Sequence, residues 1–408
     1  MPTQRKQRIL IVGAGAVSAV LSRELARDRG VALITCGARD VRKARTFIDT
    51  KDKKVRLIKL DASQLDTMSA LAKDADLVIN ASLPDLNEVI LQAALNGRAN
   101  YQDLASFLGG LSKDRADLTS VEQLKFHERF KQANLVGLIG TGASPGITNL
   151  LAREAADDLD RVDTIKFRLI EEQIADRFIP SWSLTHAVHT LTTPPIVYDR
   201  GFFRVLRPFG RPEIYDFPPP FGKRQVYATL EDEVATIPRY IRVKHVDYKT
   251  GGTEVQLMRT LFELGLFGSR AITYHKADII PLEFFSRLAP QVPSPREMAR
   301  FVLSGVIQQA QLVLVVEVHG FKGKKRKVIK STVLCPSIRE IASKMPGATY
   351  ISYPTGVAAA AFTRIIPRIR TAGVFPPEAM PGTLRETVLK DLRRRGLEVR
   401  RTTSDVSG

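Results

Sequence analysis

The sequence predicts an α/β fold whose first part is a doubly wound parallel sheet and whose second part is of α+β type. Near the N-terminus, a short apolar strand runs into a glycine turn and then an amphipathic helix. Through residues 1–145, apolar strands continue to alternate with helical segments, which is typical of a parallel sheet covered on both faces. From Asp163 onward, the strands instead alternate apolar and polar residues, as in a sheet with one solvated face.

The opening strand, turn and helix predict a dinucleotide-binding Rossmann unit. Gly13 permits a tight turn after the strand 9–12, and Gly15 lets a pyrophosphate approach the backbone at a helix N-terminus. Ser18 replaces the third glycine of the usual fingerprint, which serves helix–strand packing. A glycine turn in another kind of α/β protein is the alternative. The predicted phosphate-binding residues are Gly13, Gly15, Ala16, Val17 and Ser18.

Length, composition and charge restrict the class of protein. A chain of 408 residues with 44% hydrophobic and 25% charged residues suits two globular domains. It has no apolar run of about 18 residues and no signal-peptide pattern, so we expect a cytoplasmic protein without a membrane partner. The net charge of +18 is spread along the chain, which favours a solvated surface over nucleic-acid binding. Two cysteines and one close histidine pair, His186 and His189, lack the ligands of a metal site.

The end of the second strand indicates which nicotinamide cofactor is bound. No carboxylate follows the strand 31–35 until Asp40, whereas Arg39 and Lys43 offer cations at the position of a ribose 2′-phosphate. We therefore predict NADP, with NAD as the alternative. Arg39 could equally be the exposed start of the next helix. At the end of the third strand, Asp61 and Ala62 are expected to flank the adenine.

The fourth and fifth strands end where the cofactor should reach its nicotinamide half, because ligands bind at the carboxyl ends of such strands. A polar loop without a ligand is the alternative for the fourth strand. Tyr101 and Asp103, at the end of the fifth strand, are candidates for substrate binding and catalysis, with a structural role as the alternative. The predicted residues of the nicotinamide loop are Asn80, Ala81, Ser82, Leu83 and Pro84.

An irregular turn follows the sixth strand. Gly142, Pro145 and Gly146 break regular structure, and a new helix starts near Ile147. A helix N-terminus beside the cofactor crevice suits a substrate carboxylate, so Gly146 and Asn149 are candidate substrate contacts. A plain interdomain turn is the alternative.

The second half contains few chemical signals. Arg224 is a candidate partner for a substrate carboxylate. Glu231, Asp232 and Glu233 form the densest acidic cluster, which suits either acid–base chemistry or the N-terminus of a helix.

The chain resembles the saccharopine dehydrogenase family, in the branch with saccharopine reductase and carboxynorspermidine dehydrogenase. The Gly-x-x-Pro-Gly turn before a helix and the late Gly-Val-Phe-x-Pro-Glu run are specific in combination. In the resembling proteins a Trp-Ser pair like Trp182 and Ser183 faces the substrate, although a single tryptophan could simply fill a core. The matching stretches are 12–18, 76–84, 99–104, 140–152 and 371–380.

The resemblance implies three parts: a Rossmann domain (1–145), an α+β domain with a mixed, largely antiparallel sheet (146–352), and a C-terminal helical segment (353–408) packing on the first domain. It implies an NAD(P)-dependent oxidoreductase acting on CH–NH groups, a homodimer that interconverts an imine, formed from an amine and a 2-oxo acid, with a secondary amine. The substrate would be of amino-acid or polyamine type. Much of the family has Asp where this chain has Ser144, which with Asp103 is our candidate for catalysis. A regulatory or structural nucleotide-binding protein without turnover is the alternative.

Overall fold

The computed structural model describes residues 6–109 and 118–405 and has two large sheets. The first sheet has seven strands, and every pairing in it is parallel. Branched apolar side chains (Ile, Val and Leu) fill most of these strands because both faces of the sheet are covered by other elements. In spatial order the strands are β17 (Gly373–Phe375), β6 (Val136–Leu138), β5 (Asn100–Asp103), β4 (Leu77–Asn80), β1 (Gln7–Val12), β2 (Val31–Ala38) and β3 (Val55–Lys59).

The strand order reverses between β1 and β4, which pair with Val12 opposite Asn80. The carboxyl ends of these two strands therefore border the crevice in which such sheets bind ligands. The helices that the structure describes in the first domain are α1 (Ala16–Ala26), α2 (Val41–Ala44), α3 (Leu65–Ala72), α4 (Asn87–Gly97) and α5 (His127–Gln132).

The second sheet has nine strands and is mixed but largely antiparallel, as predicted. Its one parallel pairing among the described strands joins β7 to β12. Along the sheet lie β10 (Glu213–Phe217), β11 (Gly222–Ala228), β12 (His245–Gly251), β7 (Arg161–Ala175), β15 (Ile307–Lys322), β16 (Lys325–Leu334) and β18 (Val399–Asp405), with β8 (Ile196–Asp199) beside β12 and β9 (Phe202–Val205) beside β8.

Alternation along β7 gives the second sheet an inner and an outer face. Phe167 and Leu169 point to the inner face and join the core shared with the first domain. Ile170 points to the outer face and packs in a separate small cluster. On that outer face the buried Arg168 makes ion pairs with Glu213 and Asp247. The same alternation puts Glu171 on the inner face and Glu172 on the outer face.

The remaining described helices surround the second sheet or return to the first. A separate hairpin, β13 (Ile272–Tyr274) and β14 (Ala277–Ile279), completes the strands. The helices are α6 (Ile147–Asp157), α7 (Leu184–Thr192), α8 (Asp232–Tyr240), α9 (Thr253–Glu263), α10 (Pro281–Leu288), α11 (Pro295–Leu303), α12 (Ile338–Lys344), α13 (Ser352–Ile365) and α14 (Gly382–Arg394).

The C-terminal segment returns to the first domain, as predicted. A Cβ atom on Gly356 of α13 would lie 2.6 Å from the Val20 Cβ of α1, so only glycine permits this approach. The Gln102 amide donates to the Ala359 carbonyl oxygen of α13 at 2.9 Å. The segment 353–408, predicted as helical, also contains a strand at its end, because β18 pairs with β16 and satisfies the backbone groups of an otherwise free edge.

Candidate active site

The glycine turn after β1 has the shape that a dinucleotide phosphate needs. Gly13 has φ +97°, and a Cβ there would lie 2.6 Å from the Ala81 carbonyl oxygen, so this position packs against the loop after β4. Gly15 is exposed, and a Cβ there would have no atom within 4 Å. The free space over Gly15 lies at the N-terminus of α1, where unpaired N–H groups favour an anion.

The other predicted residues of this turn differ in what they offer. Ala16 and Val17 are partly exposed in the first turn of α1. Ser18 is only 1% exposed, so its side chain faces the packed side of the helix rather than the crevice. This burial agrees with the packing role expected at the third position of the fingerprint.

The ends of β2 and β3 bring together the residues predicted around the adenosine. Arg39 and Lys43 are exposed beside the crevice edge, and Asp40 caps α2 by accepting a hydrogen bond from the Lys43 N–H at 3.0 Å. Asp61 is exposed, and hydrogen bonds from Ser63, with a smaller effect of Arg39, lower its pKa. The Ala62 side chain is buried. Among the described residues neither Arg39 nor Lys43 forms an ion pair, although the Lys43 ammonium donates to Gln291 Oε1 at 3.4 Å.

The loop after β4 is held in a fixed shape by Asn80. Its Oδ1 accepts hydrogen bonds from the Ser82 N–H and hydroxyl, and its amide donates to Asn87 at 2.8 Å. At the edge of the crevice, Leu83 of this loop is exposed, and Ala81 and Ser82 are partly exposed. Pro84 is buried.

Tyr101 and Asp103 lie at the sheet edge but are enclosed. The Tyr101 hydroxyl donates to Asn87 Oδ1 at 3.0 Å. The Asp103 carboxylate accepts from the Gly140 N–H at 2.7 Å and from the Gln123 amide at 3.0 Å, and burial raises its pKa to about 8. These contacts fix the backbone around the next turn, so they favour a positioning role for both residues.

The turn before α6 does not leave a free carboxylate site at the helix start. The Ile147 and Thr148 N–H groups already donate to the Gly142 and Ala143 carbonyl oxygens. A Cβ on Gly146 would lie 2.1 Å from the Gly142 oxygen, so the tight turn itself requires glycine. These hydrogen bonds favour the alternative of a plain turn, and substrate contacts at Gly146 and Asn149 stay a prediction.

Asn149 belongs to the framework of this turn. It is buried, its Oδ1 accepts from the Gly146 N–H at 2.8 Å, and its amide donates to Glu378 at 3.0 Å. Burial raises the pKa of the Glu378 carboxyl to about 7.

Ser144 is the one partly exposed residue in the segment 141–150. Its hydroxyl donates to Glu233 Oε1 at 2.5 Å and lies 2.9 Å from the Tyr248 hydroxyl. The Thr148 hydroxyl donates to the same Glu233 oxygen at 2.6 Å. A chain of hydroxyl groups therefore connects the crevice to a buried carboxyl group.

Glu233 has the properties of a group that exchanges protons near neutral pH. It is fully buried, and burial raises its pKa to about 7, partly offset by the hydrogen bonds from Ser144 and Thr148. Carboxyl groups with such a pKa are suited to general acid or base work. The sequence indicated this residue only as one of an acidic cluster, with the start of a helix as the alternative.

Helix α8 fixes the two domains to each other at this site. Its first residue, Asp232, accepts a hydrogen bond from the Ser106 N–H after β5 at 2.7 Å. Its second residue, Glu233, binds the turn that follows β6. Both acids at the start of α8 thus contact loops that leave the first sheet.

Trp182 and Ser183 lie in a segment that folds over the end of β7. The Gln173 amide of β7 donates to the Ile179 carbonyl oxygen at 2.9 Å, and Thr349 donates to the Ser181 carbonyl oxygen at 3.2 Å. The Trp182 side chain is half-buried, and Ser183 is exposed at the start of α7.

Arg224 does not reach this site. The register of β10 and β11 pairs it with Tyr215, and Tyr215 packs in the cluster on the outer face of the second sheet. The expectation that Arg224 holds a substrate carboxylate was wrong, because residues paired across antiparallel strands share a face and this face points away from the crevice. Among residues 6–109 and 118–405, no group of His, Cys, Asp or Glu could hold a metal ion. The side chain of His186 lies outside the described residues.

The doubly wound sheet with its open glycine turn, closed by a second domain, defines a dinucleotide-binding protein of the two-domain oxidoreductase class. Residues 9–138 match the model of the saccharopine dehydrogenase NADP binding domain, and residues 142–397 match the saccharopine dehydrogenase C-terminal domain. The chain belongs to the saccharopine dehydrogenase family, which confirms the predicted family and cofactor class. It is an NAD(P)-dependent oxidoreductase of this family.

Similar proteins support this assignment. Carboxynorspermidine synthase of Vibrio alginolyticus is 26% identical over 308 residues, covering 70% of this chain and 73% of that protein. Carboxyaminopropylagmatine dehydrogenase of Synechocystis is 24% identical over 390 residues, which cover 91% of this chain and 92% of that protein. The same fold occurs in saccharopine dehydrogenase (L-Glu forming) of Saccharomyces cerevisiae, with TM-score 0.69, 14% identity and coverage of 98% and 100%. It also occurs in homospermidine synthase of Legionella pneumophila in complex with NAD, with TM-score 0.69, 14% identity and coverage of 99% and 93%. Within the described ranges, no helix is long and apolar enough to span a membrane.

Proposed function

We propose that this protein is an NADP-dependent reductase that joins an amine to a 2-oxo acid by reducing the imine that they form. The observation that carries the proposal is the Ser144–Glu233 hydrogen bond at the mouth of the crevice. An imine nitrogen needs a proton when its carbon accepts a hydride, and this pair is a proton donor of suitable pKa. The names of the similar proteins support an amine of polyamine type as the substrate.

The position of Ser144 fits this role. It follows β6, whose carboxyl end lies beside β5 and then β4 in the first sheet. The loop 80–84 after β4 is the expected place of the nicotinamide. A substrate held between Ser144 and that loop would have its carbon toward the cofactor and its nitrogen toward the hydroxyl.

The proton path follows from the hydrogen bonds. When bound, the cofactor supplies the hydride that the imine carbon receives. The Ser144 hydroxyl gives its proton to the nitrogen, and Glu233, when protonated, replaces it across the 2.5 Å contact. Thr148 and Tyr248 hold the two groups in line. In this way Glu233 supplies the carboxyl group that position 144 lacks compared with much of the family.

The preference for NADP rests on charge at the end of β2. Arg39 and Lys43 are exposed there, and the nearest acid, Asp40, is engaged in capping α2. An arginine fork matches the geometry of a phosphate, and an NAD site would instead need a carboxylate for the ribose 2′-hydroxyl.

The test is oxidation of NADPH by the purified chain, followed by absorbance, with pairs of amines and 2-oxo acids. We expect oxidation only when both partners are present, with the matching secondary amine found by mass spectrometry. Binding of NADPH without oxidation with any pair would overturn the proposal and favour a regulatory nucleotide-binding protein.

A further inference from the structure

A chain of buried hydrogen bonds holds the loop 80–84 from behind. The Asn80 side chain, which fixes the Ser82 N–H, donates its amide to Asn87 Oδ1 at 2.8 Å. The Asn87 amide in turn donates to Glu122 Oε1 at 2.8 Å. Asn80, Asn87 and Glu122 are all buried. The shape of the loop expected beside the nicotinamide therefore depends on a carboxyl group deeper in the domain.

The same carboxyl oxygen also holds the segment after β5. Glu122 Oε1 accepts a second hydrogen bond, from the Phe107 N–H at 2.9 Å. The Asn87 amide reinforces this junction, because it also donates to the Ala105 carbonyl oxygen at 2.9 Å. Glu122 itself begins the short 3₁₀ helix Glu122–Phe126. One oxygen atom thus links the segments that leave two neighbouring strands of the first sheet, β4 and β5.

The segment after β5 continues the connection to the second domain. The Ser106 N–H donates to Asp232, the residue before Glu233, at 2.7 Å. The Phe107 ring stacks on the His189 ring of α7, with ring centroids 5.2 Å apart. The shared oxygen atom therefore lies between the loop expected to hold the hydride donor and the helix start that carries the proton donor.

Only one of the two carboxyl oxygens of Glu122 takes part in this junction. Its Oε2 is buried and has no hydrogen-bond partner among the described residues. Burial raises the pKa of the Glu122 carboxyl to about 7, partly offset by the hydrogen bonds from Asn87 and Phe107. Glutamine at this position would keep the accepting oxygen. Methionine, which has a similar volume, would leave two buried N–H donors without an acceptor.

We propose that Glu122 is a positioning residue that holds the nicotinamide half of the cofactor in place relative to the proton donor. This inference rests on the proposed function, which puts the nicotinamide beside the loop 80–84 and the donated proton at Ser144. Hydride transfer depends steeply on the position of the reacting atoms, so a small displacement of this loop is enough to slow it. The adenosine half is expected at the ends of β2 and β3, which lie on the other side of β1 from this junction.

The first test measures binding to the full chain and needs no turnover. Glu122→Met should weaken NADPH binding by about tenfold, because the loop 80–84 is no longer fixed before the cofactor binds. Binding of adenosine 2′,5′-bisphosphate, which has the adenosine half and no nicotinamide, should be unchanged. Glu122→Gln should bind both ligands as the unmodified chain does. Equal NADPH affinity of Glu122→Met and the unmodified chain would overturn the inference, and so would an equal loss of both ligands.

The second test measures the rate constant of a single turnover at saturating NADPH, with an amine and a 2-oxo acid. We expect a decrease of about tenfold or more in Glu122→Met and of less than about twofold in Glu122→Gln. This rate constant does not depend on the fraction of the protein that is folded, so a purely structural role of Glu122 would leave it unchanged. An unchanged rate constant in Glu122→Met would overturn the inference.

Two further variants keep the binding test decisive. Asn87→Leu breaks the same chain of hydrogen bonds one step nearer the cofactor and should weaken NADPH alone, even if Glu122→Met does not fold. Glu88→Met is the matched control, because Glu88 joins α4 to the same 3₁₀ helix through an exposed ion pair with Lys125 at 3.1 Å, and it should change neither ligand. Failure of the proposed function gives a different result: the unmodified chain would oxidise NADPH with no pair, and the binding comparison would still decide the role of Glu122.

Discussion

The Ser144 hydroxyl donates a 2.5 Å hydrogen bond to the Glu233 carboxylate, although 89 positions separate the two residues. The contact joins the turn after β6 of the first sheet to helix α8 of the second domain. It combines a hydroxyl group that reaches the crevice with a buried acid whose pKa is raised to about 7. The site chemistry therefore depends on how the two domains pack.

Replacing Glu233 by glutamine should remove the proton source and keep the shape of the site. We expect Glu233→Gln to lower kcat by about 10²–10⁴ with little change in the KM for the amine. In the unmodified enzyme kcat should fall as pH rises through about 7, because the acid loses its proton. The variant should lack that decline, which a pH–rate profile measures; a variant that keeps both its kcat and the decline would contradict the role of Glu233.

A second substitution separates a chemical role from a structural one. Ser144→Asp in the Glu233→Gln background restores a carboxyl group at the position where much of the family has one. We expect at least about a tenfold recovery of kcat over the single variant. If the double variant folds normally but its kcat is no higher than that of Glu233→Gln, the loss of a carboxyl group does not explain the low kcat of the single variant.

The two glycines of the first turn should respond differently to a side chain. Gly15→Val adds atoms to free space and should preserve the melting temperature while it abolishes most NADPH binding. Gly13→Ala should instead lower the melting temperature, because its Cβ would lie 2.6 Å from the Ala81 oxygen at a positive φ. Calorimetric melting and NADPH titration of both variants test this; tight NADPH binding by Gly15→Val would show that the phosphates lie elsewhere.

Arg39 should set the choice between the two nicotinamide cofactors. Arg39→Asp is expected to raise the KM for NADPH by about tenfold or more and to improve use of NADH, since a carboxylate binds a ribose 2′-hydroxyl but repels a phosphate. Arg45→Asp, also exposed and at the far end of α2, is the control of equal charge change. If both variants changed the KM for NADPH and the use of NADH to the same extent, the effect would come from net charge and not from the position of Arg39.

The buried acids should make stability depend on pH. The folded-state pKa is about 7 for Glu171 and about 8 for Glu254, and both are raised from 4.5. At a pH between 4.5 and the folded-state pKa, each carboxyl group is protonated in the folded state and ionised in the unfolded chain. Stability should then fall as pH rises from about 5 to about 8. Glu254→Gln should flatten part of this decline, as melting curves across pH can show; an unchanged slope would contradict the raised pKa of Glu254.

The parts of the fold that depend on local pattern could be predicted from the sequence. The strand, glycine turn and helix at residues 9–21 are specified by consecutive residues, and so are the apolar runs of β2 to β6. The order of the parallel strands then puts the loop 80–84 beside Gly13 without further information. The strand β18 was missed because its partner β16 lies far away in the sequence.

The site chemistry could be predicted only in part. Ser144 was identified from the resemblance to the family, but its contact with Glu233 depends on domain packing, which no local pattern specifies. Arg224 was named as a candidate partner of a substrate carboxylate, and its position on the outer face could not be foreseen, because the face of a strand residue is known only when its register is known. Asp103 was expected to be catalytic, and its enclosure by Gly140 and Gln123 could not be read from its position at a strand end.

The most direct measurement of the central claim uses NADPH that carries deuterium in place of the transferable hydrogen. The enzyme would be given a diamine and a 2-oxo acid, and the product would be analysed by mass spectrometry. We predict a secondary amine with one deuterium on the carbon of the new C–N bond. Consumption of labelled cofactor without deuterium at that carbon, or no product at all with any such pair, would contradict the account.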